Sequence, residues 1–176
     1  KNNKVYAFFP MAIESHQNFY IHAPFDTNPA RNEILQGEDF GRNNVILINN
    51  ICKLIRLAFI WLRDNGYLSF SNLNRVYPIY EYEKTNILYS IYKNSIELIK
   101  GGEPLLPTNI PGIYKNIDQI CLPGNMGITS IFTDDDLKEL TGNRNLFWIS
   151  KEIQSREYVS FKNFLDTNFM FNTYEW

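Results

Sequence analysis

Two stretches near the start of the chain have the composition of β-strands. Residues 4–13 (KVYAFFPMAI) and residues 18–25 (NFYIHAPF) are both rich in aromatic and branched apolar side chains, which favour strands. A short polar segment, residues 14–18, separates them. Because a few polar residues between two such runs are typical of a β-hairpin with a longer loop, we predict that the two stretches pair as neighbouring strands.

The strongest periodic signal lies in residues 44–65. Apolar residues recur there at alternating spacings of three and four, which predicts a long amphipathic helix. Gly66 suits the end of this helix, and Asn43 or Asn44 can cap its start. Two adjacent apolar rows give the helix a broad face that suits packing on a sheet: the first is Val45, Ile48, Cys52, Ile55, Phe59 and Leu62, and the second is Leu47, Ile51, Leu54, Ala58 and Trp61.

The remaining patterns predict shorter elements and an α+β fold class. We expect an α+β domain over residues 1–100 and a smaller α/β extension over residues 101–176. The predicted helices are 81–100, a short one that Thr133 opens and Gly142 ends, and 160–165; the predicted strands are 117–122 and 146–150; residues 26–42 and 67–78 are predicted to be mostly loop.

Composition and charge argue against several classes of function. The chain is 44% hydrophobic and 15% aromatic, which is enough to bury a core, and its formal net charge of −2 argues against a dedicated nucleic-acid-binding protein. No apolar run reaches the length of a membrane span, and no signal peptide is visible, so we expect no membrane partner. Two widely spaced cysteines fit a reducing compartment, and we expect a cytoplasmic protein. Because a strand follows Lys1 so soon, we also expect a piece of a longer protein.

Most candidate chemistry has a simpler structural explanation. His16 and His22 are accompanied by no nucleophile signature, and we interpret them as ordinary polar residues. The acidic run 134–136 fits the start of a helix, where carboxylates are favoured by the helix dipole. The G-x-x-G stretch 124–127 resembles the nucleic-acid clamp of KH domains, but prolines and isoleucines flank it instead of basic residues. Neither a phosphate-binding P-loop nor a zinc-ligand cluster is present in the sequence.

One arginine remains after these assignments. Arg31 follows a strand and a turn that Pro29 stiffens. It can be an ordinary exposed arginine, or it can form a surface ion pair with Asp26 or Glu33. Alternatively, a stiff base can present its guanidinium to phosphate oxygens, for which the donor geometry of arginine is well suited.

The order strand, arginine-bearing turn and long helix resembles a known family. VYAFFPMAI, FYIHAPFDTNPARNEI and the later EPLLPT are similar to the segment that follows the ATP-binding domain in sacsin-like proteins of the GHKL ATPase group, which also contains the ninety-kilodalton heat-shock chaperones and DNA gyrase B. The chaperone motif Asn-x-Ser-Arg-Glu corresponds to residues 28–33 here. Asn28 and Arg31 keep the spacing, Ala30 replaces the serine, and the glutamate is displaced by one residue to Glu33.

The resemblance implies a fold and a function. In that group the second, transducer domain has a ribosomal-protein-S-five-like fold and supplies a residue that reaches the terminal phosphate of the nucleotide. Carried over to this chain, Arg31 is the expected catalytic residue, and Asn28 and Arg31 are the expected phosphate contacts. This chain alone would hold no cofactor and no metal; ATP and magnesium would lie in an upstream ATP-binding domain, its main partner. The whole protein is expected to be an ATPase with chaperone-like or defence-related roles and a possible protein client.

A second hypothesis needs no nucleotide. The chain can be a non-catalytic protein-interaction module that uses exposed aromatic residues of EYEKTNILYSIY (81–92) or of the C-terminus. Nucleic-acid binding, which occurs near this fold in gyrase, is disfavoured by the negative charge.

Overall fold

The computed structural model describes residues 3–37, 41–124, 127–170 and, for the backbone, 172–174. The chain forms two compact units: unit 1 comprises residues 1–58 and 75–95, and unit 2 comprises residues 59–74 and 96–176. Helices and small sheets occur in both, so the α+β class is confirmed. The predicted boundary between domains at residues 100 and 101 stays a prediction.

Unit 1 contains a three-stranded sheet with the order β2–β1–β3. Strands β1 (Lys4–Ala7) and β2 (Phe9–Glu14) are antiparallel, whereas β3 (Ile21–His22) runs parallel to β1. The chain reverses at Phe8, which has a φ of 61°. The hairpin therefore lies inside the first predicted strand, and the prediction of a hairpin between 4–13 and 18–25 is wrong. The composition of residues 4–13 gave no turn signal, because an aromatic residue rarely adopts a left-handed backbone.

Helix α1 (Arg42–Asp64) confirms the long helix predicted over residues 44–65. It is followed by Gly66, whose φ of 73° is the left-handed conformation expected beyond a helix C-terminus. The buried side of α1 is narrower than the predicted face of two apolar rows, because only one row of side chains is buried. That row is Asn44, Ile48, Cys52, Ile55 and Phe59, whereas much of the second predicted row is exposed. Helix α1 is long and apolar enough to cross a membrane, but core helices of soluble proteins also meet this criterion of length and composition.

Helix α2 (Phe70–Val76) lies where residues 67–78 were predicted to be a loop, and that prediction is wrong. The hydroxyl of Ser69 accepts a hydrogen bond from the N–H of Asn72 at 3.1 Å and caps the helix. Phe70 and Leu73 are buried. The helix is only seven residues long, so its apolar residues repeat over only about two turns, which is too few to show a helical period in the sequence.

Helix α3 (Tyr89–Lys100) begins eight residues later than the predicted start at residue 81. The side chain of Asn86 accepts a hydrogen bond from the N–H of Leu88 at 2.9 Å, which favours a turn before the helix. Upstream, the buried hydroxyl of Tyr82 donates to the carbonyl of Ser15 and accepts from the Gln17 amide at 2.9 Å. These bonds hold residue 82 in an irregular segment. The apolar side chains of Ile91, Tyr92, Leu98 and Ile99 in α3 are buried.

Unit 2 contains a two-stranded and a three-stranded sheet. Strands β4 (Leu106–Pro107) and β5 (Tyr114–Lys115) are antiparallel. Strand β6 (Ile120–Pro123) is central in a parallel sheet with β7 (Phe147–Trp148) and β8 (Asn172–Tyr174). Both predicted strands of this region are therefore present but shorter. A 3-10 helix over Ile117–Gln119 takes the first residues of the strand predicted at 117–122.

Three helices complete unit 2: α4 (Ile128–Ile131), α5 (Asp134–Thr141) and α6 (Val159–Asn168). The predicted helices opened by Thr133 and over 160–165 are thus confirmed. Thr133 and Asp136 form a capping box at the start of α5, and Gly142, with a φ of 66°, follows its end. Short 3-10 helices cover Lys151–Gln154 and Arg156–Tyr158. One buried cluster of this unit is formed by Cys121, Ile128, Leu137, Leu146 and Trp148.

Candidate functional site

Residues 26–35 form a closed loop that we call the Arg31 loop. Its two ends pair through an antiparallel bridge between Thr27 and Ile34. The N–H of Leu35 donates to the carbonyl of Asp26 at 3.0 Å, which adds a second connection between the ends. Ile34 is buried and the tip residues are exposed or partly exposed. The loop is therefore closed at its two ends, and its tip is open to solvent.

A buried asparagine of α1 holds the base of the Arg31 loop. The Asn44 side chain accepts from the N–H of Asp26 at 2.8 Å and donates to the carbonyls of Asp26 at 2.7 Å and Leu35 at 2.9 Å. Asn44 is fully buried, so these bonds satisfy a side-chain amide that water does not reach. Because Asn44 lies inside α1 and bonds outside it, Asn44 is an anchor of the loop and not the predicted cap of the helix.

Asn28 stabilises the loop from within. Its side-chain carbonyl accepts from the N–H of Asn32 at 3.2 Å, and its side-chain amide donates to the Asn32 side chain. Its main-chain carbonyl accepts from the N–H of Arg31 at 3.0 Å. The two predicted site residues thus lie together, but the side chain of Asn28 is engaged inside the loop. In this arrangement Asn28 positions Arg31.

The backbone of Arg31 is held in an unfavourable conformation. Its φ is 54°, in the left-handed region that few residues other than glycine adopt. The cost for a residue with a Cβ atom is about 1–2 kcal/mol. A hydrogen bond from the N–H of Ala12 in β2 to the carbonyl of Arg31, at 3.1 Å, ties this position to the sheet. Backbone strain of this kind is concentrated at functional sites, but Phe8 and His16 share it with φ values of 61° and 50°, so the interpretation of Arg31 also depends on its side-chain contacts.

The guanidinium of Arg31 lies on an aromatic ring. Its central carbon is 5.1 Å from the centre of the Phe9 ring, a cation–π contact, and Phe9 itself is 65% exposed. Within the described parts of the chain, neither Asp26 nor Glu33 forms an ion pair with Arg31. The surface ion pair that the sequence left open is therefore not formed. A cation–π contact uses the charge of the guanidinium and no oxygen acceptor, so the donors remain suited to an oxyanion.

We expect Arg31→Gly to be more stable than Arg31→Ala by about 1 kcal/mol. Both variants lose the contact with Phe9, but only alanine retains the cost of a Cβ atom at a φ of 54°. Urea unfolding of the two variants measures the difference. Equal stability would show that the backbone at this position is not constrained as described.

The other candidate groups have structural roles. Within the described residues no cluster of three or more His, Cys, Asp or Glu side chains is arranged for a metal ion. In the acidic run, hydrogen bonds from Thr133 lower the pKa of Asp136, while burial raises the pKa of Asp134, which accepts from the N–H of Trp148 at 2.7 Å. The acids therefore start α5 as predicted. Of the G-x-x-G stretch 124–127, residues 125 and 126 lie outside the described residues.

The histidines and cysteines also have ordinary surroundings. The ring of His16 stacks on that of Tyr80, with 4.2 Å between centres, and His22 meets Tyr6 edge-on. Cys52 and Cys121 are both buried. Burial raises the pKa of Cys52 from 9.0 to about 11. Cys52 is therefore neutral near pH 7, which disfavours a nucleophilic role.

Comparison with protein families, with curated proteins and with solved structures finds no match for this chain. The interpretation of the site accordingly depends on its own geometry.

Two residues of the site were missed by the sequence interpretation. Phe9 was assigned to a strand, and nothing local showed that its ring would meet Arg31. Asn44 had a usable signal, because it lies four residues before Ile48 and thus continues the buried row of α1. A polar residue on a buried helical row needs hydrogen-bond partners, and the nearby loop supplies them.

Proposed function

We propose that unit 1 is a transducer domain of a GHKL-type ATPase and that Arg31 contacts a phosphate of a nucleotide bound to another domain. The observation that carries the proposal is the placement of Arg31. Its backbone is strained, its loop is anchored on α1, and within the described residues its guanidinium has an aromatic ring and no carboxylate as partner. Such an arrangement keeps a positive charge in one place without neutralising it.

The chemistry of phosphoryl transfer explains why this placement matters. Negative charge develops on the transferred group and on the leaving oxygen, and a prepositioned guanidinium stabilises that charge. Reorganisation is small because the loop is already closed by the Thr27–Ile34 bridge and by Asn44. ATP and magnesium would be held by the other domain, and this chain would supply the arginine.

The proposal also covers the fold of unit 1 and the way in which nucleotide binding would be coupled to the rest of the chain. It assigns a ribosomal-protein-S-five-like arrangement to unit 1, supported by the order of sheet, arginine-bearing loop and long helix. Because Asn44 connects the loop directly to α1, a force on Arg31 from a bound phosphate would reach a helix of 23 residues. The whole protein would be a cytoplasmic ATPase, with chaperone-like or defence-related work on a protein client.

The experiment that tests the contact is nuclear magnetic resonance of the arginine side chain in the longer protein that includes the ATP-binding domain. We expect the Nε–H resonance of Arg31 to shift and to exchange more slowly with water when a non-hydrolysable ATP analogue binds. The resonance of Arg144, an exposed arginine of unit 2, serves as the control and should stay unchanged. An unchanged Arg31 resonance with the analogue bound would contradict the proposal.

The second candidate function, a protein-interaction module, loses one of the two surfaces that the sequence offered for it, while the side chains of the other, at the C-terminus (171–176), lie outside the described residues. In the segment 81–92 the large side chains Tyr82, Leu88, Ile91 and Tyr92 are buried. They form core and are not available to a partner. An exposed apolar surface does exist in unit 1, but it lies on α1.

A further inference from the structure

Helix α1 leaves one apolar side uncovered. Ile46, Leu54 and Leu57 are 53%, 65% and 61% exposed. Ile46 and Leu57 are separated by about three helical turns and so lie in line, and Leu54 lies one turn before Leu57. The exposed Asn50 lies between Ile46 and Leu54, four residues from each. This side is opposite the row of Asn44, Ile48, Cys52 and Ile55, which is buried in unit 1. Leaving three large apolar side chains in water is unfavourable, because the free energy rises with the apolar surface area that water contacts.

The charges along α1 are mostly positive. The helix contains four basic residues and one acidic residue, Asp64, which forms an ion pair with Arg63 at 2.8 Å, although the whole chain has a net charge of −2. Arg42 precedes Ile46 by four residues, and Lys53 precedes Leu57 by four residues. Residues four apart are neighbours on a helix surface, so these two exposed basic side chains border the apolar side.

We propose that this surface, formed by Ile46, Leu54 and Leu57 and bordered by Arg42 and Lys53, binds an anionic lipid membrane, with α1 lying in the plane of the interface. Helices that bind in this way combine a large apolar side with Lys and Arg at its border. The apolar side chains enter the boundary between headgroups and acyl chains, and the basic side chains contact the anionic headgroups.

The buried side of α1 determines that the helix lies on the membrane and does not cross it. Asn44 is fully buried and makes three hydrogen bonds with Asp26 and Leu35, and Cys52 donates to the carbonyl of Ser90. Crossing the bilayer would break these contacts and place polar groups in hydrocarbon. Binding in the plane keeps unit 1 folded and covers only the exposed side.

Charge complementarity selects lipid over a second copy of the chain. Two copies of α1 packed antiparallel by the same side in a symmetric dimer would bring their basic edges, formed by Arg42 and Lys53, near each other, which is unfavourable. An anionic headgroup layer neutralises these residues instead. The same layer supplies the apolar phase next to it, so both parts of the surface are matched.

The test is co-sedimentation of the 176-residue chain with vesicles of phosphatidylcholine alone or with added phosphatidylserine. We expect binding to the anionic vesicles that weakens with salt, and weaker binding to neutral ones. The double variant Leu54→Ser/Leu57→Ser should bind at least about tenfold more weakly. Lys53→Glu should bind about fivefold more weakly or worse.

Matched variants in unit 2 control for the general loss of an apolar or basic residue. Leu140→Ser removes a leucine that is 50% exposed in α5, and Lys151→Glu reverses an exposed lysine. Both should bind vesicles like the unchanged chain. Equal binding to neutral and anionic vesicles, or no effect of the α1 variants, would overturn the proposal. So would self-association in sedimentation analysis that Leu54→Ser/Leu57→Ser abolishes without any vesicle binding.

Discussion

Replacing Asn44 by leucine should lower the free energy of unfolding by about 2–4 kcal/mol. Leucine is similar in size but makes no hydrogen bonds. The substitution leaves the N–H of Asp26 and the carbonyl of Leu35 without their present partner, next to residue 44, which is fully buried. The carbonyl of Asp26 loses one of its two bonds and keeps the one from the N–H of Leu35. A buried polar group that loses its partner costs more than the bond itself contributes, because it cannot return to water.

Urea denaturation of the 176-residue chain measures this effect. Asn50→Leu is the matched control, since Asn50 lies on the same helix and is exposed. We expect its stability to change by less than about 0.5 kcal/mol. Hydrogen exchange provides a local readout: the amide of Leu35, which closes the loop, should exchange faster in Asn44→Leu. If Asn44→Leu were as stable as Asn50→Leu, Asn44 would not be the anchor of the Arg31 loop.

The long helix shows what a sequence pattern can predict about a fold. The period of the apolar residues predicted α1 to within two residues at each end, because a helix of this length repeats its pattern many times. The same pattern could not show how much of the apolar surface is covered. Coverage depends on which other segments pack there, and the exposed Leu54 and Leu57 became visible only in the structure.

The N-terminal sheet shows the opposite case. Strand composition predicted β-structure in both stretches, and the two stretches do lie side by side as β1 and β3. The predicted antiparallel hairpin between them was wrong, because the chain already reverses at Phe8, and that reversal depends on one dihedral angle, the φ of Phe8. Glycine or asparagine at that position would have signalled a turn. The geometry of the candidate site could not be predicted from the sequence for the same reason. The sequence singled out Arg31, whereas its strained backbone and the ring beneath it follow from packing between the loop and β2.

Replacing Arg31 by alanine should reduce ATP hydrolysis by the longer protein far more than any other single change in unit 1. We expect kcat to fall by about 100-fold or more, because donors aimed at developing phosphoryl charge contribute on that scale. ATP affinity should change little, since the proposal places adenine and magnesium binding in the other domain. Arg31→Lys keeps the charge but not the forked donor geometry, and it should recover only part of the rate.

The rate of ATP hydrolysis by Arg31→Ala is therefore the most direct measurement of the central claim. Arg144→Ala removes an exposed arginine of unit 2 and controls for the loss of surface charge. The account predicts a large fall in kcat for Arg31→Ala, with intact folding and retained ATP binding, and a rate within about twofold of the unchanged protein for Arg144→Ala. Equal rates for the two folded variants would contradict it.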